Sequence, residues 1–134
     1  MTDPPVDAVV VDASVMVDVL AGTEFADAAR AALAGRRLVA PAHIDVEVLS
    51  ALGRMQRAGI LSPRFVTNRL SDCAAAPIER QPLGGLLVGA WQRRADLRLA
   101  DALYVELAER LRLTLLTTDR RLGRSYPAAH VIDV

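Results

Sequence analysis

An α/β fold, with a central parallel β-sheet and helices on both faces, is what this sequence predicts, and three observations predict it. Short apolar runs, Ala8-Val9-Val10-Val11 and Leu113-Thr114-Leu115-Leu116-Thr117 among them, read as strands buried on both sides. Between such runs lie stretches whose apolar residues recur at helical spacing. Hydrophobic residues make up 52% of the chain, mostly Ala, Leu and Val, and aromatics only 4%, a mixture that suits helices packed on a sheet.

The elements follow in order. Ala8 to Val11 is β-branched, apolar and ends at Asp12, so it reads as a buried strand. Ser14 is expected to N-cap a helix over Val15 to Leu20. A second helix spans about Phe25 to Ala34 and ends at Gly35. Arg37 to Ala40 is a strand closed by Pro41. From His43 to Ala58, Ile44, Val48, Ala51, Leu52 and Met55 form a helical stripe that Gly59 ends. Ser62-Pro63 starts a helix with Pro at its first position, running to about Cys73. Pro77 to Gln81 suits an edge strand, and Leu86 to Arg94 a helix. Leu103, Leu107 and Leu111, with Tyr104 and Ala108, mark another amphipathic helix. Leu113 to Thr117 is a strand halted at Asp119, and His130 to Ile132 is the last strand. With no repeat, linker or low-complexity tract, residues 1–134 read as one domain.

Charge and composition exclude several classes. The 16 basic and 16 acidic residues cancel, so any phosphate-binding surface must be local. Every basic residue is Arg, which rules out chemistry that needs a lysine. The longest uncharged stretch, Gln81 to Gln92, is too short to cross a bilayer, which takes about 18 apolar residues. The acidic start, MTDPPVD, has no basic n-region, so no signal peptide is expected. Cys73 stands alone, which excludes an internal disulfide and fits a cytoplasmic protein.

Four acids carry the chemistry. Asp12 and Asp119 each follow a buried strand, and in an open parallel sheet ligands collect outside the carboxyl ends of the strands. Glu47 falls on the flank of its helix's apolar stripe, where a merely solubilising Glu would favour the opposite face. Asp101 shares a flank with Val105 and Ala108, beside the Leu103/Leu107/Leu111 face. Crowded carboxylates at a partly desolvated rim repel one another, and a cation satisfies them. All-oxygen ligation without His or Cys selects a hard ion, magnesium or manganese, which suits metal-assisted phosphodiester hydrolysis.

The segments V-V-D-A-S-V, P-A-H-I-D-V-E-V-L-S-A-L, L-A-D-A-L-Y-V-E-L-A-E-R-L and L-L-T-T-D-R-R-L together resemble the PIN-domain ribonucleases, in particular the VapC toxins of bacterial toxin–antitoxin pairs. The likeness runs from about Ala8 to Val131, and the D-A-L-Y-V-x-L-A-E block with T-D-R-x-L is its most specific part. It implies a PIN-like parallel sheet, divalent-metal endoribonuclease activity on structured RNA, inhibition by a cognate antitoxin, and a homodimer. Carried over by residue, the catalytic and metal-binding set is Asp12, Glu47, Asp101 and Asp119. Ser14 falls where the family often has a hydroxyl near the metal. Where some relatives carry a further acid near the last Asp, this chain has Thr117 and Thr118, and Thr117 is placed with Ser14 as a supporting hydroxyl.

Other residues have plainer readings. Asp18 decorates the first helix, Asp96 caps the Asp101 helix, and Asp45 caps or supports Glu47. Glu106 and Glu109 are expected on a solvated face, His43 at a helix start or in a supporting place four residues before Glu47, Cys73 in the core, and Trp91 in packing or at a partner surface. Arg93, Arg94 and Arg98 precede Asp101, while Arg120, Arg121 and Arg124 follow Asp119, and these are the candidates for RNA phosphate contacts. Rival functions fit less well. A phosphotransfer receiver needs a lysine, and an aspartyl phosphatase wants an Asp where Ser14 stands. A housekeeping PIN nuclease in RNA processing and a non-catalytic PIN-like binding module are the alternatives within the same fold.

Overall fold

The computed structural model describes residues 7–134, so the reading of the first six residues as lacking a signal sequence falls outside it. Five strands, β1 (Ala8–Val11), β2 (Arg37–Pro41), β3 (Ile78–Gln81), β4 (Leu115–Thr117) and β5 (His130–Val131), form one sheet in the order β3-β2-β1-β4-β5. All four pairings are parallel. β1 lies at the centre, with Val9 opposite Leu38 and Val11 opposite Leu116, and Val10 and Val11 are inaccessible to solvent. A strand with neighbours on both edges and helices on both faces has no polar side to show, which is why it reads as continuous Val.

Parallel strands require crossovers, and helices supply them. Helices α1 (Ala13–Ala21) and α2 (Ala26–Leu33) join β1 to β2, and α3 (Ile44–Arg57) and α4 (Pro63–Ala75) join β2 to β3. A 3-10 turn, Gly84–Leu86, with α5 (Leu87–Gln92) and α6 (Leu99–Leu111), returns the chain to β4, and α7 (Arg120–Ser125) leads to β5. The first two connections advance one way along the sheet and the later ones the other way. Right-handed crossovers therefore put α1 to α4 on one face and α5 to α7 on the opposite face. The crevice outside the ends of β1 and β4 is where strand order reverses, the place an open α/β sheet presents to a ligand. The Asp12 N–H donates to the Leu116 carbonyl at 3.0 Å, which ties the two strand ends together there.

The core unites the strand valines and leucines with Val15 of α1, Ile44, Val48 and Leu52 of α3, and Tyr104 and Val105 of α6. Ile44, Val48 and Leu52 follow the four-residue spacing of a buried helical stripe. Ser62 caps α4 as its sequence implies, its hydroxyl accepting the Phe65 N–H at 3.1 Å, with Pro63 at the first position.

Two local expectations are corrected, and one helix was not foreseen. Ser14 lies inside α1, whose N-cap position belongs to Asp12 with extended backbone (φ −72°, ψ 148°), because the Ser14 hydroxyl is committed to the Asp12 carboxylate. Asp96 does not cap α6; Arg98 occupies that position, and Asp96 sits in the preceding turn. The stretch after Asp119 is a helix that six residues are too few to announce by periodicity. Asp119 caps it, accepting the Arg121 N–H at 2.9 Å. Among the described residues no helix is long and apolar enough to cross a membrane.

Candidate active site

A cavity of about 430 Å³ opens at the β1/β4 switch point, and Asp12, Glu47, Asp101 and Asp119 all line it. Each arrives from a different element. Asp12 follows β1, Glu47 stands in the first turn of α3, Asp101 in the first turn of α6, and Asp119 follows β4. The four acids named from the sequence therefore share one cavity. They do not form a finished cage: among the described residues no three Asp, Glu, His or Cys side chains converge closely enough to hold an ion as they stand.

Each carboxylate is instead held by a donor of the protein. Asp12 is buried, and its Oδ2 accepts the Ser14 hydroxyl at 2.6 Å and the Thr117 hydroxyl at 2.8 Å. A hydroxyl has one hydrogen to give. With both spent on Asp12, Ser14 and Thr117, 3.2 Å apart, are left as acceptors. Ser14 accordingly accepts the Thr118 N–H at 3.1 Å, and Thr117 the Asp119 N–H at 2.9 Å. This short network welds the end of β1 to the end of β4. Glu47 Oε1 accepts the Tyr104 hydroxyl at 2.7 Å. Asp101 is buried and receives Arg98 Nε at 3.2 Å, and Asp119 Oδ2 has Arg121 at 3.6 Å.

The electrostatics are those of an overcrowded acid site. Burial pushes the Asp12 carboxyl up to about 6, and the negative charges of Asp101 and Glu47 push the same way, against the opposing hydrogen bonds from Ser14 and Thr117. A carboxyl so placed gains from a nearby cation. The donors facing the cavity are carboxylate and hydroxyl oxygens, with no thiolate or imidazole among its lining residues, the set that fits a hard divalent ion.

Of the six arginines proposed for RNA, Arg98 alone lines the cavity. Arg93 is turned to Glu106 at 3.1 Å, Arg94 lies over the Trp91 ring at 4.5 Å, Arg120 pairs with Asp133 at 2.8 Å, and Arg121 reaches Asp119. Glu106 corrects the solvated reading. It is buried beneath Arg93 and Arg110, since α5 packs over that face of α6 and covers what an isolated helical wheel leaves open. Glu109, by contrast, is exposed as expected and accepts the Tyr126 hydroxyl at 2.6 Å. Asp45 belongs to a separate group with Arg80, 2.9 Å away, next to buried Cys73. His43 holds the N-cap position of α3.

Sequence reasoning missed three residues of the cavity wall, Asp18, Arg54 and Phe25, and one buried behind it, Tyr104. Asp18, read as decoration, lines it and accepts the Thr118 hydroxyl at 2.6 Å. Arg54 stands seven residues after Glu47, two turns along the same face of α3, a spacing that could have revealed it. Phe25 adds an aromatic surface from the α1–α2 connection, for which no sequence signal existed. Tyr104, three residues past Asp101, looked like core and is core, yet its hydroxyl ends on Glu47.

Comparison with known proteins bears on the family and the fold. A family model described as PIN domain matches residues 9–126. Ribonuclease VapC3 of Mycobacterium tuberculosis is 58% identical over 132 residues, covering 98% of this chain and 96% of the relative. Ribonuclease VapC12 of the same species is 34% identical over 118 residues, 88% of this chain and 92% of that one. Among solved structures, PAE2754 from Pyrobaculum aerophilum superposes with a TM-score of 0.68 at 26% identity, covering 95% of this chain and 84% of that one. A chain of a toxin–antitoxin complex from Klebsiella pneumoniae reaches 0.68 at 15% identity over 93% and 98%, a likeness of fold.

Proposed function

The chain belongs to the PIN-domain family, among the VapC ribonucleases, and from that premise we propose that it is a divalent-metal-dependent endoribonuclease acting as the toxin of a toxin–antitoxin pair. The observation that carries the site is the convergence of four acids, from four separate elements, on one cavity at the switch point of the sheet. A structural protein has no use for that crowding, so a non-catalytic module fits less well.

Asp12, Glu47, Asp101 and Asp119 would hold magnesium or manganese. When bound, such an ion polarises phosphoryl oxygen and activates water. The protein's own residues do the rest. Ser14 and Thr117 keep Asp12 fixed between the strand ends. Arg98, half committed to Asp101, and Arg54, both on the cavity wall, suit the flanking phosphates of an RNA strand. Half-buried Phe25, with Val17 and Ala51, forms an apolar wall against which a base can rest. Purified protein should cleave RNA with magnesium or manganese and stop with EDTA; undiminished cleavage in excess chelator refutes the metal mechanism.

The same reading extends to partners. An antitoxin would lay an amphipathic segment on the toxin with a basic side chain reaching the acids. A second copy suits the patch of Leu87, Val88, Trp91 and Leu99, each about half or more exposed on α5 and the start of α6. Light scattering should read a dimer that Trp91→Arg weakens; a wild-type monomer at high concentration removes the homodimer. A lone, buried, reduced Cys73 agrees with a cytoplasmic setting.

A further inference from the structure

Tyr104 is a fully buried side chain whose only polar atom ends on a carboxylate of the active site. A core position of this kind is ordinarily filled by Leu or Phe, because a buried hydroxyl needs a partner and a buried or half-buried charge is a costly one. Here the hydroxyl donates its single hydrogen to Glu47 Oε1 at 2.7 Å. The ring lies against His43, with centroids 4.7 Å apart at 44°. His43 in turn places Nε2 3.0 Å from the Ala100 carbonyl and 3.5 Å from Glu47 Oε1. A carbonyl only accepts, so Nε2 carries the hydrogen and points at Ala100, while the Nδ1 atom is buried with no partner among the described residues.

Two cross-links therefore join the start of α3 to the start of α6. His43 of α3 reaches Ala100 of α6, and Tyr104 of α6 reaches Glu47 of α3. Asp101 lies between those two α6 residues. Both cross-links bear on the helix starts that carry Glu47 and Asp101, and the Tyr104 bond restrains a Glu side chain that, when free, has three rotatable bonds and about 1.5–2 kcal/mol of rotamer entropy to lose.

Resting on the reading of Glu47 as a metal-binding acid, we propose that Tyr104, braced by His43, is a positioning residue that holds Glu47 in register with Asp101 for cation binding. It touches neither RNA nor the reacting atoms. Outer groups of this kind typically alter metal affinity or activity by about 10- to 100-fold when lost.

The test is a calorimetric titration with manganese of the full-length wild type, Tyr104→Phe, Glu47→Gln and the double variant, with melting temperatures and steady-state RNA cleavage for each. Tyr104→Phe keeps the ring and removes only the donor. It should bind manganese about 10-fold more weakly and lower kcat by a similar factor or more, with KM for RNA within about twofold. In the Glu47→Gln background the same change should add nothing, because the tyrosine acts through that carboxylate. Wild-type manganese affinity in Tyr104→Phe overturns the proposal. So does an equal loss in both backgrounds, which would mark general damage to the core. If Glu47→Gln itself binds manganese like the wild type, the assignment of Glu47 as a ligand fails first, and the latch with it.

Discussion

Helix α6 buries two carboxylates five residues apart, Asp101 and Glu106, and they keep opposite company. Asp101 faces Asp12 and Glu47 across the cavity, with a single partner, Arg98, whose own side chain is 61% exposed. Glu106 lies between Arg93 and Arg110, at 3.1 and 2.7 Å, and each of its oxygens has a guanidinium. Desolvation pushes the Glu106 carboxyl up, but hydrogen bonds and charges from Arg110 and Arg93 outweigh it and hold the group below its ordinary value. The Asp12 carboxyl, beside Asp101, stands well above its ordinary value. Burial alone does not distinguish an active site from a structural ion cluster. The sign of the charge left uncompensated does, and the two groups should answer oppositely to the same chemical change.

The largest effect expected is on activity. Changing Asp12, Glu47, Asp101 or Asp119 to its amide should cut RNA cleavage about 10³-fold or more, roughly 4 kcal/mol of transition-state stabilisation. Melting temperature in metal-free buffer should stay level or rise, because repulsion is relieved. Glu106→Gln should do the reverse, leaving the rate per folded molecule near wild type while lowering stability. Unfolding of Asp101→Asn, measured by circular dichroism, would erase the contrast.

Acid titration sharpens it next. The Asp12 carboxyl titrates at about 6 in the fold against 3.8 in the unfolded chain, so between those values the native state binds the extra proton. Its contribution then runs against the fold as pH rises. Metal-free protein should lose up to about 3 kcal/mol between pH 4 and pH 6, and Asp12→Asn should flatten that slope. Glu106, lowered in the fold, has the opposite sign: its stabilisation is present above its unfolded pKa and is lost as pH falls through the lower folded value. Denaturant midpoints across pH for both amide variants would read the two slopes; parallel slopes would mean the carboxylates are alike after all.

Glu106→Gln at neutral pH should cost about 2 kcal/mol, less than a fully buried pair because Arg110 is half exposed. The smallest effect comes from the helix that covers it. A Cβ at Gly89 would meet the Glu106 carboxylate, so Gly89→Ala should displace that side chain and cost about 1–2 kcal/mol, with cleavage unchanged. Wild-type stability of Gly89→Ala would show that the ion cluster has room to shift.

The two α6 acids also mark the limit of what a sequence exposes. Asp12 and Asp119 were legible because each ends an apolar run, and strand ends on a parallel sheet have a known place. Glu47 and Asp101 were legible from their position on the flank of a helical stripe. Glu106 was not, since a helical wheel reports one helix and the burial of Glu106 is made by Gly89 and Arg93 of the preceding connection. Ser14 was given the right neighbourhood and the wrong local task, because its hydroxyl answers to Asp12 and its oxygen to Thr118, a residue more than a hundred positions away. The arginines were selected by proximity in sequence, and most found nearer carboxylates. Arg54, two turns from Glu47, lies in the cavity instead.

By itself the sequence determined the α/β class, the strands and most helices, because periodicity and caps act over a few residues and are written locally. It also singled out the four acids that line the cavity, because each breaks a local apolar pattern. Packing of distant elements was needed to bring these acids to the β1/β4 crevice, to set Tyr104 and His43 against Glu47 near Asp101, and to neutralise Glu106 but not its neighbour. Those outcomes depend on which elements the parallel crossovers bring side by side, and the electrostatics of a buried carboxylate are set by whatever lies within a few ångströms of it, however distant along the chain.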